Sequence, residues 1–449
     1  MKTFLDWSDY QDAGMGDAYA DIPKTGGNFA KAVAVCISSK ACESHNEKGV
    51  MCPSYRVTDD SQLSTGGRVR LLKAALNGEL GDKPFADPVL GRAMDLCVSC
   101  KGCKRECENS VDMALIKVEY LAQLNEDEGL SVRSRLFAHT PLWLYRWPWV
   151  RRLIEWRNGS KVLAGLGETL LGITASRRLP VPAATAFQAP KAISPNPSPA
   201  EEKGVREVVL LVDTFSRHFD PDIAEAALAV LQAAGYHAIV AEPAEAGRPL
   251  CCGRTYLAQG MVDQAKAEAR RMIEALLPHA EAGRPIIGLE PSCLLSLRDE
   301  YKALGLGEAA VKVAAQALLF EEFIAREHTA KNLNLTLKPL DRTVLVHGHC
   351  HQKAVGAMKS MRKVLKLIPG LGFELVESSC CGMAGSFGLE AEHATVSWEM
   401  AQQALLPKLK DAPDSLVLSN GFSCRQQIRE GDGRASLHLA QLFRDALVE

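Results

Sequence analysis

Two regimes of apolar spacing divide this chain. From about residue 205 onward, short unbroken apolar runs alternate with stretches of helical period. VREVVLLVDTF reads as a buried strand, followed by a helix from Asp222 to about Ala234 and the strand HAIVAE. After CCGR come a helix around 261–277 and the strand PIIGLE. At 343 the pattern restarts: TVLVHGHCHQ, a helix, FELVES, CCGM, a helix, then SLVLSNGFSC. Strands alternating with helices predict parallel sheets. The front of the chain has a helical period instead. In STGGRVRLLKAALNGEL (64–80), Leu71, Leu72, Ala75 and Leu76 share one face. Residues 111–124 predict a second helix. Residues 1–30 are polar and read as irregular, with Trp7 as a local packing residue.

Between these halves, residues 136–173 interleave Trp, Leu and Arg (LFAHTPLWLYRWPWVRRLIEW). No window holds 18 uncharged apolar residues, so no membrane span is predicted. Pro141 and Pro148 break any long helix. We read the stretch as a helical arm packed on its own protein or a partner. The Arg–Trp alternation leaves peripheral membrane contact as the other reading. Residues 178–204, with six prolines, predict an extended linker.

The cysteines change the picture. Cys97, Cys100, Cys103 and Cys107 stand in the order C-x2-C-x2-C-x3-C, the ligand spacing of bacterial-type ferredoxins. Zinc more commonly takes two separated C-x2-C pairs. The fourth cysteine of such a run usually serves a second cluster, so a partner run is expected. It is found at Cys36, Cys42 and Cys52, with Ser39 where a middle cysteine would stand. Crosswise pairing assigns Cys52, Cys97, Cys100 and Cys103 to one 4Fe–4S cluster. Cys36, Cys42 and Cys107 are left as an incomplete second set. Its fourth ligand would be Ser39, His45, a partner residue or nothing. Arg68 and Arg70 either face a cluster's negative charge or an acidic partner, or are solvated.

The back half is an internal repeat. Cys251-Cys252-Gly253 and Cys293 match Cys380-Cys381-Gly382 and Cys424, and Ser216 stands opposite Cys350. All fall at carboxyl ends of predicted strands, where α/β sheets build sites. The second copy offers four thiolates (Cys350, Cys380, Cys381, Cys424) for a 4Fe–4S cluster or zinc. The first offers only Cys251, Cys252 and Cys293, and a structural role is expected there. His347, His349 and His351 bracket Cys350. Strand alternation would point them away from it, as proton-handling groups, substrate contacts or hydrogen-bonded loop residues.

The fold class that follows is α+β. An all-α, ferredoxin-like cluster domain (1–130) leads through the arm (131–177) and linker (178–204) to two α/β domains at 205–335 and 336–449. Composition adds little: 449 residues, net charge −2, 47% hydrophobic and 14 cysteines. The balance gives no support for a nucleic-acid partner. Metal-ligand spacing, with no apolar leader at MKTFLDWSDYQDAG, predicts a reducing cytoplasm.

These motifs resemble a known family. VMCPSYRVT, STGGR and MDLCVSCKGCKRECENSVDM are similar to the iron–sulfur part of FAD-linked D-2-hydroxyacid dehydrogenases. CCGRTYL, EPSC, HGHCHQKA, CCGMAGSFG and SNGFSCRQQ resemble the CCG domains of glycolate oxidase iron–sulfur subunits and of heterodisulfide reductases. The resemblance spans about residues 30–430. It implies an electron-transfer subunit, cytoplasmic or peripheral at the inner face of the cytoplasmic membrane. Electrons would pass from FAD on a partner dehydrogenase subunit to a quinone or protein acceptor. The substrate implied is D-lactate, glycolate or D-2-hydroxyglutarate. A heterodisulfide-reductase-like catalyst and a zinc-bearing scaffold are the rivals. The chain departs from the family at Glu108, where proline is usual. In the heterodisulfide reductase pattern, cysteines stand at the positions of Ser216, Glu290 and Gly421.

Overall fold

The computed structural model describes residues 1–17, 20–46, 49–190, 206–245 and 247–448. Up to residue 171 the described chain contains helices and no strand. The predicted helix at 64–80 forms as Thr65–Leu76, and that at 111–124 as Met113–Glu128. Trp7 is buried and donates from Nε1 to Glu119 Oε2 at 3.1 Å, which ties the N-terminal segment to that second helix.

The back half holds two parallel sheets. Strands β1 (Arg206–Leu211), β2 (Tyr236–Val240), β3 (Ile286–Gly288) and β4 (Ala317–Leu319) lie in the order β2-β1-β3-β4. Strands β5 (Thr343–Val346), β6 (Gly372–Leu375) and β7 (Leu416–Leu418) repeat the order as β6-β5-β7. A parallel bridge from Leu418 to Leu437 stands at the edge where β4 lies in the first sheet. Val208 and Leu210 of β1 face one core and Val209 and Leu211 another. A strand covered on both faces has no polar side, hence the unbroken run VVLLV. The two sheets share a core: Val208 and Leu210 belong to the same apolar cluster as Val344 and Val346.

The front helices do not stand apart. One core joins Phe29, Leu72 and Met94 to Leu294 and Tyr301 of the first repeat. A second joins Val50, Leu63 and Val98 to Leu345 and Phe387 of the other. The arm forms four short helices, Val132–Ala138, Thr140–Arg146, Val150–Gly159 and Lys161–Leu171. Pro141 opens the second of these rather than breaking it, because the first turn needs no N–H there. Trp149, Trp156, Leu166 and Leu170 remain exposed, so packing on its own protein covers only part of the arm. No helix among the described residues is long and apolar enough to cross a membrane.

Of the predicted linker, residues 191–204 lie outside the described residues. Residues 178–190 are not a free spacer. Phe187 is buried, its N–H donates to Arg217 O at 2.8 Å, and Ala183 N–H donates to His218 O at 2.8 Å.

Candidate iron–sulfur and metal centres

The C-x2-C loop coils tightly. Ser99 and Lys101 both take left-handed backbone angles (φ 49° and 60°). Gly102 lets it pack on the segment before Cys52, since a Cβ there would stand 2.8 Å from Met51 N. Glu106 holds that segment by accepting from Val50 N (2.7 Å) and Met51 N (3.0 Å), and Arg56 Nη2 donates to Met51 O at 2.8 Å. Cys52 is thereby brought to Cys97, Cys100 and Cys103. Burial, then neighbouring charges including the Cys52 thiolate, pushes the Cys100 and Cys103 thiols up. Thiols so crowded stay protonated unless a cation lies among them.

One cation is already present. Arg68 is 0% exposed, yet no carboxylate lies within ion-pair distance of it among the described residues. Its Nη1 donates to Cys52 Sγ at 3.2 Å, Nη2 to Ser54 Oγ at 2.7 Å and Nε to Ala93 O at 2.6 Å. Burial opposes ionisation of Cys52, but the Arg68 charge and hydrogen bond, with Ser54, outweigh it and hold the thiol below its ordinary value. Burying a guanidinium costs several kcal/mol unless an anion faces it. Here the facing anion is the Cys52 thiolate, the foremost of the cysteines that act to keep Arg68 charged. Of the readings open for Arg68, the structure selects the inward one; Arg70 is exposed.

The STGGR segment explains itself in this setting. Ser64 caps the helix by accepting from Gly67 N at 3.0 Å. Gly66 N–H donates to Cys42 Sγ at 3.2 Å, and a Cβ on Gly67 would fall 2.1 Å from Ser61 O. One helix start thus addresses Cys42 of one set and Cys52 of the other.

Cys36, Cys42 and Cys107 form the second set. Burial first, then the Cys107 and Cys42 charges, pushes the Cys36 thiol up. Asn109 Nδ2 donates to Val35 O at 2.7 Å and ties the Cys107 loop to the Cys36 loop. This set is shallower: Cys36 and Cys107 are half-buried and Ser39 is exposed. His45 Nε2 is paired with Asp59 Oδ1 at 2.7 Å.

In the first repeat, Cys251, Cys252 and Cys293 are buried and linked by thiol hydrogen bonds. A Cys252 hydrogen bond pulls Cys293 down, but burial and the Asp213 and Glu290 carboxylates leave it up at about 12. Ser216 Oγ donates to Asp213 Oδ2 at 2.7 Å. Glu290 caps its own helix and accepts from Phe422 N at 2.7 Å, which joins the two repeats.

In the second repeat, Cys350, Cys380, Cys381 and Cys424 are linked in series by hydrogen bonds. Gly382 (φ 89°) allows the CCG turn, since a Cβ there would stand 2.1 Å from Ser397 O. Gly421 makes room for His349, whose Cδ2 would lie 2.3 Å from a Cβ. The expectation that strand alternation separates the histidines from Cys350 is corrected here. β5 ends at Val346 and a helix begins at Cys350, so alternation does not apply. His347 meets Cys381 and Cys424. His349 lies beside Cys350; burial opposes its charge, but the Cys350 thiolate outweighs it and holds the ring up at about 9. His351 turns toward the front half, with Nε2 3.0 Å from Ser99 O, between Cys97 and Cys100.

The two sets therefore meet. After burial, the Cys350 charge is the largest influence raising the Cys100 thiol. Lys101, 5% exposed, pairs with Glu300 at 2.8 Å and with Asp299, while Glu300 also pairs with Arg254 beside the first CCG turn. A cavity of about 1280 Å³ runs from Cys350, Cys380, Cys381 and Cys424 to the arm, where Trp143 and Trp147 stack at 4.6 Å. Glu106, Arg56, Ser54 and Lys101 were not singled out by sequence reasoning. Only their placement inside or beside the motifs signals them.

Fold and thiol sets together define a chain with one helical, cysteine-bearing front segment and two cysteine-rich repeats. The comparisons agree. The 4Fe-4S dicluster domain family matches residues 32–111, and the cysteine-rich domain family matches 214–298 and 344–429. The chain thus carries both kinds of domain, and the relatives it matches are oxidoreductases or their subunits. It is 24% identical to a D-2-hydroxyglutarate dehydrogenase of Pseudomonas putida over 447 residues, covering 90% of this chain and 42% of that protein. It is 28% identical to one subunit of the anaerobic glycerol-3-phosphate dehydrogenase of Escherichia coli over 202 residues, 44% of this chain and 49% of that one. It is 23% identical to the Escherichia coli glycolate oxidase iron-sulfur subunit over 406 residues, 88% of this chain and 91% of that one. The chain thus spans less than half the length of the hydroxyglutarate dehydrogenases it matches.

Proposed function

We propose that this chain is the iron–sulfur electron-transfer part of a flavin-dependent D-2-hydroxyacid dehydrogenase. FAD on a partner subunit takes two electrons from D-lactate, glycolate or D-2-hydroxyglutarate. This chain passes them singly to a quinone or protein acceptor. In this reading residues 1–130 are the cluster domain, Cys52, Cys97, Cys100 and Cys103 hold a 4Fe–4S cluster, and 205–335 and 336–449 are the two cysteine-rich domains. A cluster supplies one-electron storage with little rearrangement. The surrounding side chains bind it, exclude water and set its charge balance.

The observation that carries the reading is the contact between His351 Nε2 and Ser99 O, 3.0 Å, which places the loop of Cys97 and Cys100 against Cys350. A route from the front set to the second repeat needs no further element. The shallow set at Cys36, Cys42 and Cys107 supplies a site near the surface for exchange with a partner. The disulfide-reducing rival, at the Cys350 site, is disfavoured because Ser216, Glu290 and Gly421 stand where its pattern has cysteines. The test is metal analysis of protein purified without oxygen. Four or more iron and sulfide per chain, reduced to background for the front set in Cys103→Ala, support the reading; values near zero in wild type contradict it.

A further inference from the structure

His347 is 1% exposed. Its Nδ1 lies 3.1 Å from Ser378 Oγ, while its Nε2 has no hydrogen-bond partner of ordinary geometry among the described residues, although the ring approaches the Cys381 thiol. A thiol is a weak hydrogen-bond partner, so the buried ring is poorly satisfied there. The nitrogen is not lost in an apolar wall. One ligand atom each from His347, Cys381 and Cys424 lie within 4.8 Å of one another, and all three residues are buried. A ring that gives its Nδ1 proton to Ser378 Oγ keeps the Nε2 lone pair free, the arrangement usual for metal-bound histidine. Imidazole with two thiolates is a donor set for zinc or for iron.

We propose that His347 Nε2 is a metal ligand, and that His347, Cys381 and Cys424 together hold one thiophilic metal atom in the second cysteine-rich repeat. The four-thiolate set of that repeat is therefore a mixed nitrogen–sulfur set. The metal is a zinc ion or one iron atom of a cluster; the chemistry demanded of His347 is the same. Cys381 and Cys424 also line the cavity that leads to the arm, so the site adjoins a solvent-reachable space. One neutral imidazole in place of one thiolate removes a negative charge from the site. For an iron centre this raises the reduction potential.

The inference rests on the second repeat being metal-bearing, and the experiment separates the two. Full-length wild type and the variants His347→Ala, His347→Cys and Ser378→Ala are prepared without oxygen. One arm is loaded with zinc and the other with iron and sulfide, and the metal is counted. X-ray absorption at the zinc edge, and nuclear double resonance on reduced iron with 15N-labelled histidine, read the ligands. We expect one nitrogen ligand in one of the two arms. We also expect loss of the second-repeat metal in His347→Ala, retention without the nitrogen signal in His347→Cys, and metal affinity lowered about tenfold or more in Ser378→Ala. Wild type bearing second-repeat metal with sulfur ligands alone, or His347→Ala holding as much metal as wild type, overturns the assignment. Should His347→Ala fail to fold, the wild-type spectra decide alone. Wild type with metal in the front sets only overturns the underlying reading as well.

Discussion

Arg68 Nη1 lies 3.2 Å from Cys52 Sγ, and the guanidinium has no solvent exposure. A full positive charge fixed against one ligand favours the more negative, reduced state of any cluster held there. Arg68→Gln removes the charge and keeps much of the shape. Its cluster should become harder to reduce, by at least tenfold in the reduction equilibrium, about 59 mV for one electron. Arg68→Lys should recover part of the loss. Redox titration followed by EPR reads both; an unchanged potential in loaded Arg68→Gln contradicts the role.

The CCG turn makes a steric prediction. A Cβ at Gly382 meets Ser397 O at 2.1 Å, and the backbone there has φ 89°. Gly382→Ala should destabilise the second repeat by at least about 2 kcal/mol. Gly165→Ala, in the arm helix Lys161–Leu171 with nothing within 4 Å, should be neutral or slightly stabilising. Thermal unfolding of the pair under identical loading checks the contrast.

His393 fastens the front helices to the second repeat. Its Nε2 lies 3.1 Å from Asp95 Oδ2 and its Nδ1 3.0 Å from Glu390 Oε2, with the ring stacked on Phe387. Burial opposes its charge, but hydrogen bonds to Asp95 and Glu390 outweigh it and hold the ring up at about 9. The folded value lies above the unfolded value of about 6.5. Its stabilisation is therefore complete below that unfolded value and is lost as pH rises through about 9. His393→Gln should cost about 2 kcal/mol at pH 6 and progressively less toward alkaline pH. Thermal melts across that range test it; a gap independent of pH contradicts it.

Lys101 and Glu300 form a buried pair at 2.8 Å between the C-x2-C loop and the first repeat. Burial and two cations act on Glu300, and Lys101 with Arg254 hold its carboxyl down at about 2. Glu300→Ala leaves Lys101 paired, among the described residues, with Asp299 alone and should cost about 3 kcal/mol. Denaturant unfolding measures the loss, and Glu300→Asp should recover part of it.

Much of this was legible in the residues. Unbroken apolar runs gave the strands because β1 and β5 are covered on both faces. Spacing gave the thiol sets because a cluster fixes its ligands' separation along the chain. The histidines near Cys350 were misread because the strand stops at Val346, a boundary set by pairing with β7 and not by apolar pattern. Arg68 could be placed on a helix but not turned inward, since its partner Cys52 comes from a loop positioned by Glu106 and Gly102. Residues 178–190 carry a linker's composition, yet Phe187 finds a buried seat that only the folded repeat provides. The docking of Ser99 on His351 joins residues 252 positions apart and leaves no local trace.

The central claim is electron passage through Cys52, Cys97, Cys100 and Cys103. It is tested most directly by mixing anaerobic, iron-loaded chain with its flavoprotein and a D-2-hydroxyacid, then freezing samples for EPR at times within one turnover. The account predicts a reduced-cluster signal that appears within that turnover, is absent in Cys103→Ala, and disappears on adding acceptor. No signal within many turnovers, or full acceptor-linked activity of the flavoprotein without this chain, would contradict it.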